Sequence, residues 1–446
     1  MHSAMSKTAL IDHLYEAWHR GPVSPLRLGS QDAVLVTGPE AVRQVLVHDA
    51  ARCTKRSHRA RSLLGDGLIT ATGERWKRQR RALQSHFTAV GVRRYERHIA
   101  GAAQHIADRW ERCARTGEPT DVAEDMRYFA LDTIWRLLTG TPLDARTHDD
   151  LSPLARVVAA LPTLSAPGRT PSAAPQTQQT QQTRQTQQTQ QTQQTRQAPE
   201  RDGAAEGPER VEEAARRAVA AARAAGPGDG RGILHDLLDY PDQLLRDELV
   251  TLIVAGHETT ATALTWLHLL LDRHPWWRAW ALRRGPAGHR ALITETLRLY
   301  PPVWLIPRHA DEDTVLDGRP VAAGTRVLVC PYLTHRDPAL WPAPLAFDPR
   351  RPAARPQSGA FHPFGTGPRA CLGQHFSLRE MEILTTTLLP RFVPRPTAPA
   401  SLSPTFAATL YAAGPCTATV HPVAPDGPGP AALPGQEQPR DREGAG

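Results

Sequence analysis

Few cysteines, no long apolar run and no dense basic stripe: each shortage in this sequence removes a class of protein. The 446 residues include five cysteines, Cys53, Cys113, Cys330, Cys371 and Cys416. They are odd in number, far apart and never in a CxxC pair. That argues against a disulfide framework or a paired-cysteine metal knuckle, and it suits a reducing cytoplasm. No apolar stretch approaches the roughly 18 residues of a membrane span. The opening MHSAMSKTALIDHLYEAWHR lacks the apolar core of a signal peptide. A soluble protein without a membrane span is expected. Lys and Arg number 53 against 45 Asp and Glu, a net charge of +8. The arginines are scattered rather than striped beside stacking aromatics, so no nucleic-acid partner is expected and acidic protein partners fit better. With 40% hydrophobic residues, the chain can bury a sizeable core.

The pattern along the chain is mostly helical. Residues 24–36 alternate and end in Ala33-Val34-Leu35-Val36, which predicts a small hairpin. Pro39 suits the first turn of a helix. Residues 74–90 and 121–139 carry helical spacing, with Gly140 as a stop for the second. Residues 176–197 repeat Gln-Gln-Thr with almost no apolar content, and their Pro/Gly-rich flanks extend this insert to 167–209. Such a segment cannot bury enough surface to offset its ordering entropy, so a disordered loop is expected. Helices follow at 211–225, at 244–273 (about 45 Å long) and at 287–299, where Pro301-Pro302 ends the run. VLVCPY predicts a strand. A Pro-rich stretch at 338–368 leads to a cysteine loop and a helix over 372–389, and residues 423–446 read as a loose tail.

The chemistry concentrates in FHPFGTGPRACLGQHF. Two glycines and a proline make a tight loop that ends at Cys371, and a helix begins at once. A thiolate there would face unsatisfied backbone N–H groups and the positive end of a helix dipole. Both lower a thiol's pKa. Arg369 adds a positive charge suited to a carboxylate. A lone cysteine is commonly an ordinary core thiol. Here, however, Phe364-x-x-Gly367-x-Arg369-x-Cys371-x-Gly373 is a many-position pattern. It resembles the haem-binding loop of the cytochrome P-450 superfamily, the haem-thiolate monooxygenases.

Three further segments match that family in order. Ala255-Gly256-His257-Glu258-Thr259-Thr260 falls within the long helix. A glycine among polar residues weakens the helical ladder and leaves room for a small ligand; an adjacent acid and hydroxyl can relay protons. Alone, the segment would read as a solvated polar patch. Glu295-Thr296-Leu297-Arg298 places two charges on one helix face, a spacing usually found as an exposed pair. Trp76-x-x-x-Arg80 puts an indole and a guanidinium together, both able to donate to a carboxylate.

The resemblance, which covers residues 24–422, implies a mainly α cytochrome P-450 fold, a helical prism with a small β-rich region, as one domain over residues 1–422. It implies haem b with Cys371 as the axial ligand of the iron. Ala255, Phe364, Gly365 and Gly373 would lie against the cofactor, and Trp76, Arg80, Arg369 and Arg308 would hold its propionates. Glu258 and Thr259 would be the acid–alcohol pair beside bound oxygen. Glu295 and Arg298 would form a buried structural pair completed by Arg351, although family members often carry an acid and an aromatic where this chain has Arg350 and Pro352. The insert would fall between two helices that form a lid, and the segment between Arg284 and Ala291 is short for the family. The expected activity is O2-dependent hydroxylation or epoxidation of a small hydrophobic substrate in secondary metabolism. With no appended flavin or iron–sulfur domain in view, electrons from NAD(P)H would arrive through a separate ferredoxin and its reductase. As in the soluble bacterial members, a cytoplasmic monomer is expected. A peroxide-using or isomerising haem-thiolate enzyme and a non-catalytic haem sensor are the alternatives; retention of both Glu258 and Thr259 argues against the first, and product formation would exclude the second.

Overall fold

The computed structural model describes residues 7–56, 61, 64–153, 203–227, 232–351, 358–399 and 402–423. The helices that frame the site are α1 (Lys7–Trp18), α2 (Gly73–Gln84), α3 (Glu96–Thr116), α4 (Val122–Thr139), α5 (Gly203–Ala225), α6 (Asp242–Arg273), α7 (Trp276–Arg284), α8 (Pro286–Leu299) and α9 (Gln374–Leu388). A five-stranded sheet contains β1 (Val23–Leu28), β2 (Gln31–Val36), β3 (Cys53–Thr54), β4 (Ile306–Ala310) and β5 (Arg326–Val329), in the order β1-β2-β5-β4-β3. The predicted hairpin is β1–β2. β2 pairs parallel to β5, so Ala33 lies against Arg326, and β4 runs antiparallel to both β5 and β3.

α6 is the spine. Its 32 residues span about 48 Å, and it packs most extensively on α4. Asp121 caps α4 by accepting from the Ala123 and Glu124 N–H groups, and Gly140 ends it at φ 80°. Trp266 of α6 stacks on Tyr300 with centroids 3.8 Å apart, and its indole N–H donates to the Leu410 carbonyl at 2.7 Å. Two acids at the start of α6 hold the segment before α2. Asp247 accepts from the Asp66 N–H at 2.7 Å, and Glu248 from the Leu68 N–H at 3.1 Å. α7 and α8 are separated by Gly285 alone, at φ 57° and ψ −139°, a conformation that favours glycine. A Cβ on Gly288 would collide with the Ala281 carbonyl, so the two helices meet through a bare backbone contact.

Several boundaries differ from expectation. The helix predicted over 74–90 stops at Gln84, continues as a 3-10 turn over Ser85–Phe87, and restarts at Ala89. Thr88 takes an extended conformation and accepts from the Gly91 N–H, capping the restart. Residues 203–209, assigned to the insert by composition, belong to α5. In VLVCPY the strand ends at Val329, because Pro331 opens a helical turn. The repeat at 176–197 and the tail at 424–446 lie outside the described residues. Among the described residues, no helix is long and apolar enough to cross a membrane.

Candidate active site

The cysteine loop is closed by its own backbone. The Cys371 N–H donates to the Phe364 carbonyl at 2.8 Å, and the Ala370 N–H to that of Gly367 at 3.0 Å. Gly365 and Gly367 sit at φ 66° and 74°, where a β-carbon is strained. At Gly367 the requirement is double, since a Cβ would also collide with the Leu46 carbonyl. The result is that Cys371 is exposed while the other four cysteines are buried. α9 starts at Gln374, two residues later than the predicted start.

Although its side chain is exposed, Cys371 is closely surrounded by protein. Burial pushes its thiol above the ordinary value, while the Gly373 N–H and the Arg80 charge pull the other way. The helix-terminal N–H and the cation expected from the sequence are both present and act in the expected direction, while the surrounding protein acts against them.

The motif of α6 is brought to the same level by Thr260. Its hydroxyl donates to Glu380 of α9 at 2.7 Å and lies 3.0 Å from the Ser377 hydroxyl. Burial holds the Glu380 carboxyl well above the usual range. Along α6, residues 247–254 and 260–271 are buried, yet Ala255 is exposed and Gly256 and Thr259 are half-buried. The Thr259 hydroxyl donates back to the Ala255 carbonyl at 2.9 Å, a bond that loosens a helix at that turn.

Glu258 is 2% exposed, and its Oε1 has no hydrogen-bond partner. The nearest cation is Arg127 of α4, with Nε 3.8 Å from that oxygen. Burial raises the Glu258 carboxyl, Arg127 opposes this, and Glu124 adds to it. Beside them is a cavity of about 40 Å³ lined by Arg127, Thr262, Thr265, Tyr411 and Cys416, room for a very few waters. Glu258 and Thr259 therefore serve different sides of α6: the acid faces α4, and the hydroxyl is spent on its own helix.

Four cations surround the cysteine loop. The Arg369 guanidinium lies 4.2 Å over the Trp76 ring and donates to the Ala71 carbonyl at 3.0 Å. Arg80 is 5.8 Å from the same ring and donates to the Ala370 carbonyl at 2.9 Å. Arg308, buried on β4, donates to the Pro307 carbonyl at 2.9 Å. Burial is the leading cause that lowers all three guanidinium pKa values, that of Arg308 to about 10. Lys55, which no motif revealed, is within electrostatic reach of Arg308 and Arg369. Among the described residues, no carboxylate appears among the contacts or charges that act on these four. Desolvated cations without a counter-charge are costly, so the cluster suits an anionic ligand. Among the described residues, no group of three or more His, Cys, Asp or Glu could hold a bare metal ion. A single exposed thiol beside cations thus fits a metal that arrives inside an anionic cofactor, and haem, with two propionates, has that form.

The Glu295–Arg298 pair is buried, not exposed. Both Arg298 Nε and Nη2 donate to Glu295 at 2.8 Å. Arg351 Nε donates to Glu295 Oε1 at 2.9 Å despite the altered neighbours, and Arg350 turns to Asp348 instead.

Comparison with known proteins agrees with this arrangement. The family described as Cytochrome P450 matches residues 11–278 and 289–407. The unmatched gap spans the glycine corner between α7 and α8. The chain is 30% identical over 414 residues to cyclooctatin synthase of Streptomyces melanosporofaciens, covering 84% of this chain and 83% of that one. It is 29% identical over 431 residues to cyclooctat-9-en-7-ol 5-monooxygenase of the same organism, covering 88% and 89%. Among solved structures, a 6-coordinated cytochrome P450 from Thermus thermophilus superposes with a TM-score of 0.69 at 29% identity, over 94% of this chain and 99% of that one. The family match takes in α6, the Glu295–Arg298 pair and the Cys371 loop, and the chain belongs to the cytochrome P450 family of haem monooxygenases.

Proposed function

We propose that Cys371 would ligate the iron of a haem b and that the loaded protein is an O2-dependent monooxygenase of a small hydrophobic substrate. The observation that carries this is the exposed Cys371 among cations that lack carboxylates. Arg80, Arg308 and Arg369 would hold the propionates, Arg369 and Arg80 being steadied by the Trp76 face. Phe364, Gly365, Gly373 and Ala255 would bound the cofactor, and the small side chain of Ala255 allows close approach. When bound, the haem supplies oxygen activation, with thiolate donation favouring O–O cleavage.

The protein's own part is proton supply and exclusion of water. Glu258, held between burial and Arg127, can take a proton from water in the neighbouring cavity and release it toward the Thr259 side of the helix. To join this relay the Thr259 hydroxyl would exchange its bond to the Ala255 carbonyl for one to the passing proton carrier. Electrons would come from NAD(P)H through a ferredoxin and its reductase. On α2, Trp76 and Arg80 are half-buried while Lys77, Arg78 and Arg81 are exposed. Lys77 is paired with Glu74 at 2.6 Å. Arg78 and Arg81 remain to steer an acidic partner. A cytoplasmic monomer fits this scheme. The two Streptomyces relatives are named for cyclooctatin and cyclooctat-9-en-7-ol, which supports a ring-built hydrophobic substrate of secondary metabolism.

The test is a carbon monoxide difference spectrum. The reduced protein is expected to show the thiolate-type band, and Cys371→Ser to lose it. A serine variant that keeps the band would refute the assignment.

A further inference from the structure

Lys55 lies where no sequence motif places a functional residue. It follows β3 directly, and the register of β3 on β4 sets Cys53 opposite Ala310 and Thr54 opposite His309. Continued by one residue, that antiparallel register would set Lys55 opposite Arg308, and the Arg308 charge does act on Lys55. Like charges at directly opposed strand positions repel. This pair does not escape into water: Arg308 is buried, and Lys55 is half-buried with its ammonium enclosed by protein. Arg369, from the cysteine loop, adds a third positive charge that acts on both. Among the described residues, no carboxylate contributes to the electrostatics of any of the three; the Cys53 thiol acts on Arg308. Burial, then Arg308 and Arg369, pull the ammonium of Lys55 down to about 7.

Three segments distant in sequence thus deliver positive charge to one place with nothing to balance it. The arrangement is unfavourable by itself and favourable around a doubly negative group. We propose that Lys55 is a further carboxylate-binding cation of the cofactor site, facing Arg308 across the sheet edge and Arg369 across the cysteine loop. The proposal rests on the haem reading given above. The three residues divide the work. Each guanidinium is partly committed to a backbone carbonyl, Arg308 to Pro307 and Arg369 to Ala71. Among the described residues Lys55 has no such commitment, and an ammonium on a flexible stem is a compact charge that can follow a carboxylate.

The experiment compares the purified haem-loaded protein with Lys55→Gln and Lys55→Arg. Transfer of haem to excess apomyoglobin is timed, and the propionate bending bands are recorded by resonance Raman spectroscopy. Lys55→Gln is expected to lose haem about ten-fold faster, equivalent to ~1.4 kcal/mol, with the propionate bands shifted. Lys55→Arg is expected to restore both toward the parent. The carbon monoxide band stays in the thiolate position in all three proteins, because Cys371 is untouched. If Lys55→Gln does not accumulate, Lys55→Met, which keeps the apolar stem, takes its place. Parental transfer rates and unshifted bands in the neutral variant overturn the proposal. Equal acceleration in the glutamine and arginine variants also overturns it, by showing a packing role. A parent without any thiolate-type band would overturn the haem reading instead, so the two failures are distinguishable.

Discussion

Two groups of buried charge in this protein are built in opposite ways. Around Glu295 every charge is answered. Arg298 is 1% exposed, donates twice to Glu295, and spends its remaining donors on the His335, Pro344 and Ala346 carbonyls. Arg351 and the Asp348 N–H complete the same carboxylate. Around α6 and the cysteine loop the charges are left open: Glu258 has an unpartnered oxygen, and four cations lack an acid. A saturated cluster fixes a fold, because no outside group can improve it. An unsaturated one stores interaction energy for whatever binds or passes. The difference separates scaffold from site without reference to any motif.

Breaking the saturated cluster should have the largest effect. Arg298→Ala takes two donors from Glu295, leaving it Arg351 and the Asp348 N–H, and removes the Arg298 donor from the His335 and Pro344 carbonyls; removing one partner of a buried ion pair costs about 3–5 kcal/mol. That is a large share of the ~5–15 kcal/mol by which a domain is stable. Loss of soluble, haem-loaded protein on expression is expected; a variant that unfolds thermally like the parent would show the cluster to be dispensable.

The open groups should respond more gently, and with a pH signature. Burial raises the folded-state pKa of Glu258, so this acid binds its proton more tightly folded than unfolded. Its contribution therefore favours the fold at low pH and is lost as pH rises from the ordinary carboxylate range through the folded-state value. Arg127→Gln removes the opposing charge and extends that loss upward in pH. Denaturant titrations across pH are expected to show Arg127→Gln losing stability more steeply than the parent above the carboxylate range, with Glu258→Gln abolishing the difference. Parallel profiles for the parent and Arg127→Gln would mean that Arg127 does not act on Glu258.

The smallest effect belongs to the surface. Arg78→Glu with Arg81→Glu should slow reduction by a ferredoxin at low salt and less so at high salt, because a Debye length is about 10 Å at 0.1 M. The carbon monoxide spectrum should not change. Salt-independent slowing would point to a contact other than electrostatic steering.

What could be read from the sequence follows the reach of each interaction. The cysteine loop, the ExxR pair and the α6 motif are local, so their residues are adjacent in the chain and could be named from it. Arg351 was also reachable, since it lies near Asp348 in a recognisable segment. Lys55 was not, because its meaning depends on a strand register with Arg308. Arg127 was not, because only the packing of α4 on α6 brings it to Glu258. At Cys371 the helix end and the nearby arginines are visible in sequence, whereas the protein that surrounds the thiol and opposes them is not. The break of the predicted helix at Ser85 was hidden because Thr88 caps a new helix in mid-pattern.

The pairing of Ala33 with Arg326 and of Cys53 with Ala310 also orders events in time. A chain emerging from the ribosome displays β1, β2 and β3 long before β4 and β5 exist. Until then β2 has an open edge and Lys55 has no opposing Arg308. Contacts between such distant segments close slowly, and unpaired edges invite association with other chains while they wait. The half of the carboxylate-binding charge that comes from the sheet can form only after Arg326–Val329 has been made, and Cys371 follows soon after. Under the proposed assignment, cofactor capture would be confined to the end of synthesis, when one late stretch of chain supplies Cys371, Arg308 and Arg369 and the strands that bring Lys55 to meet them.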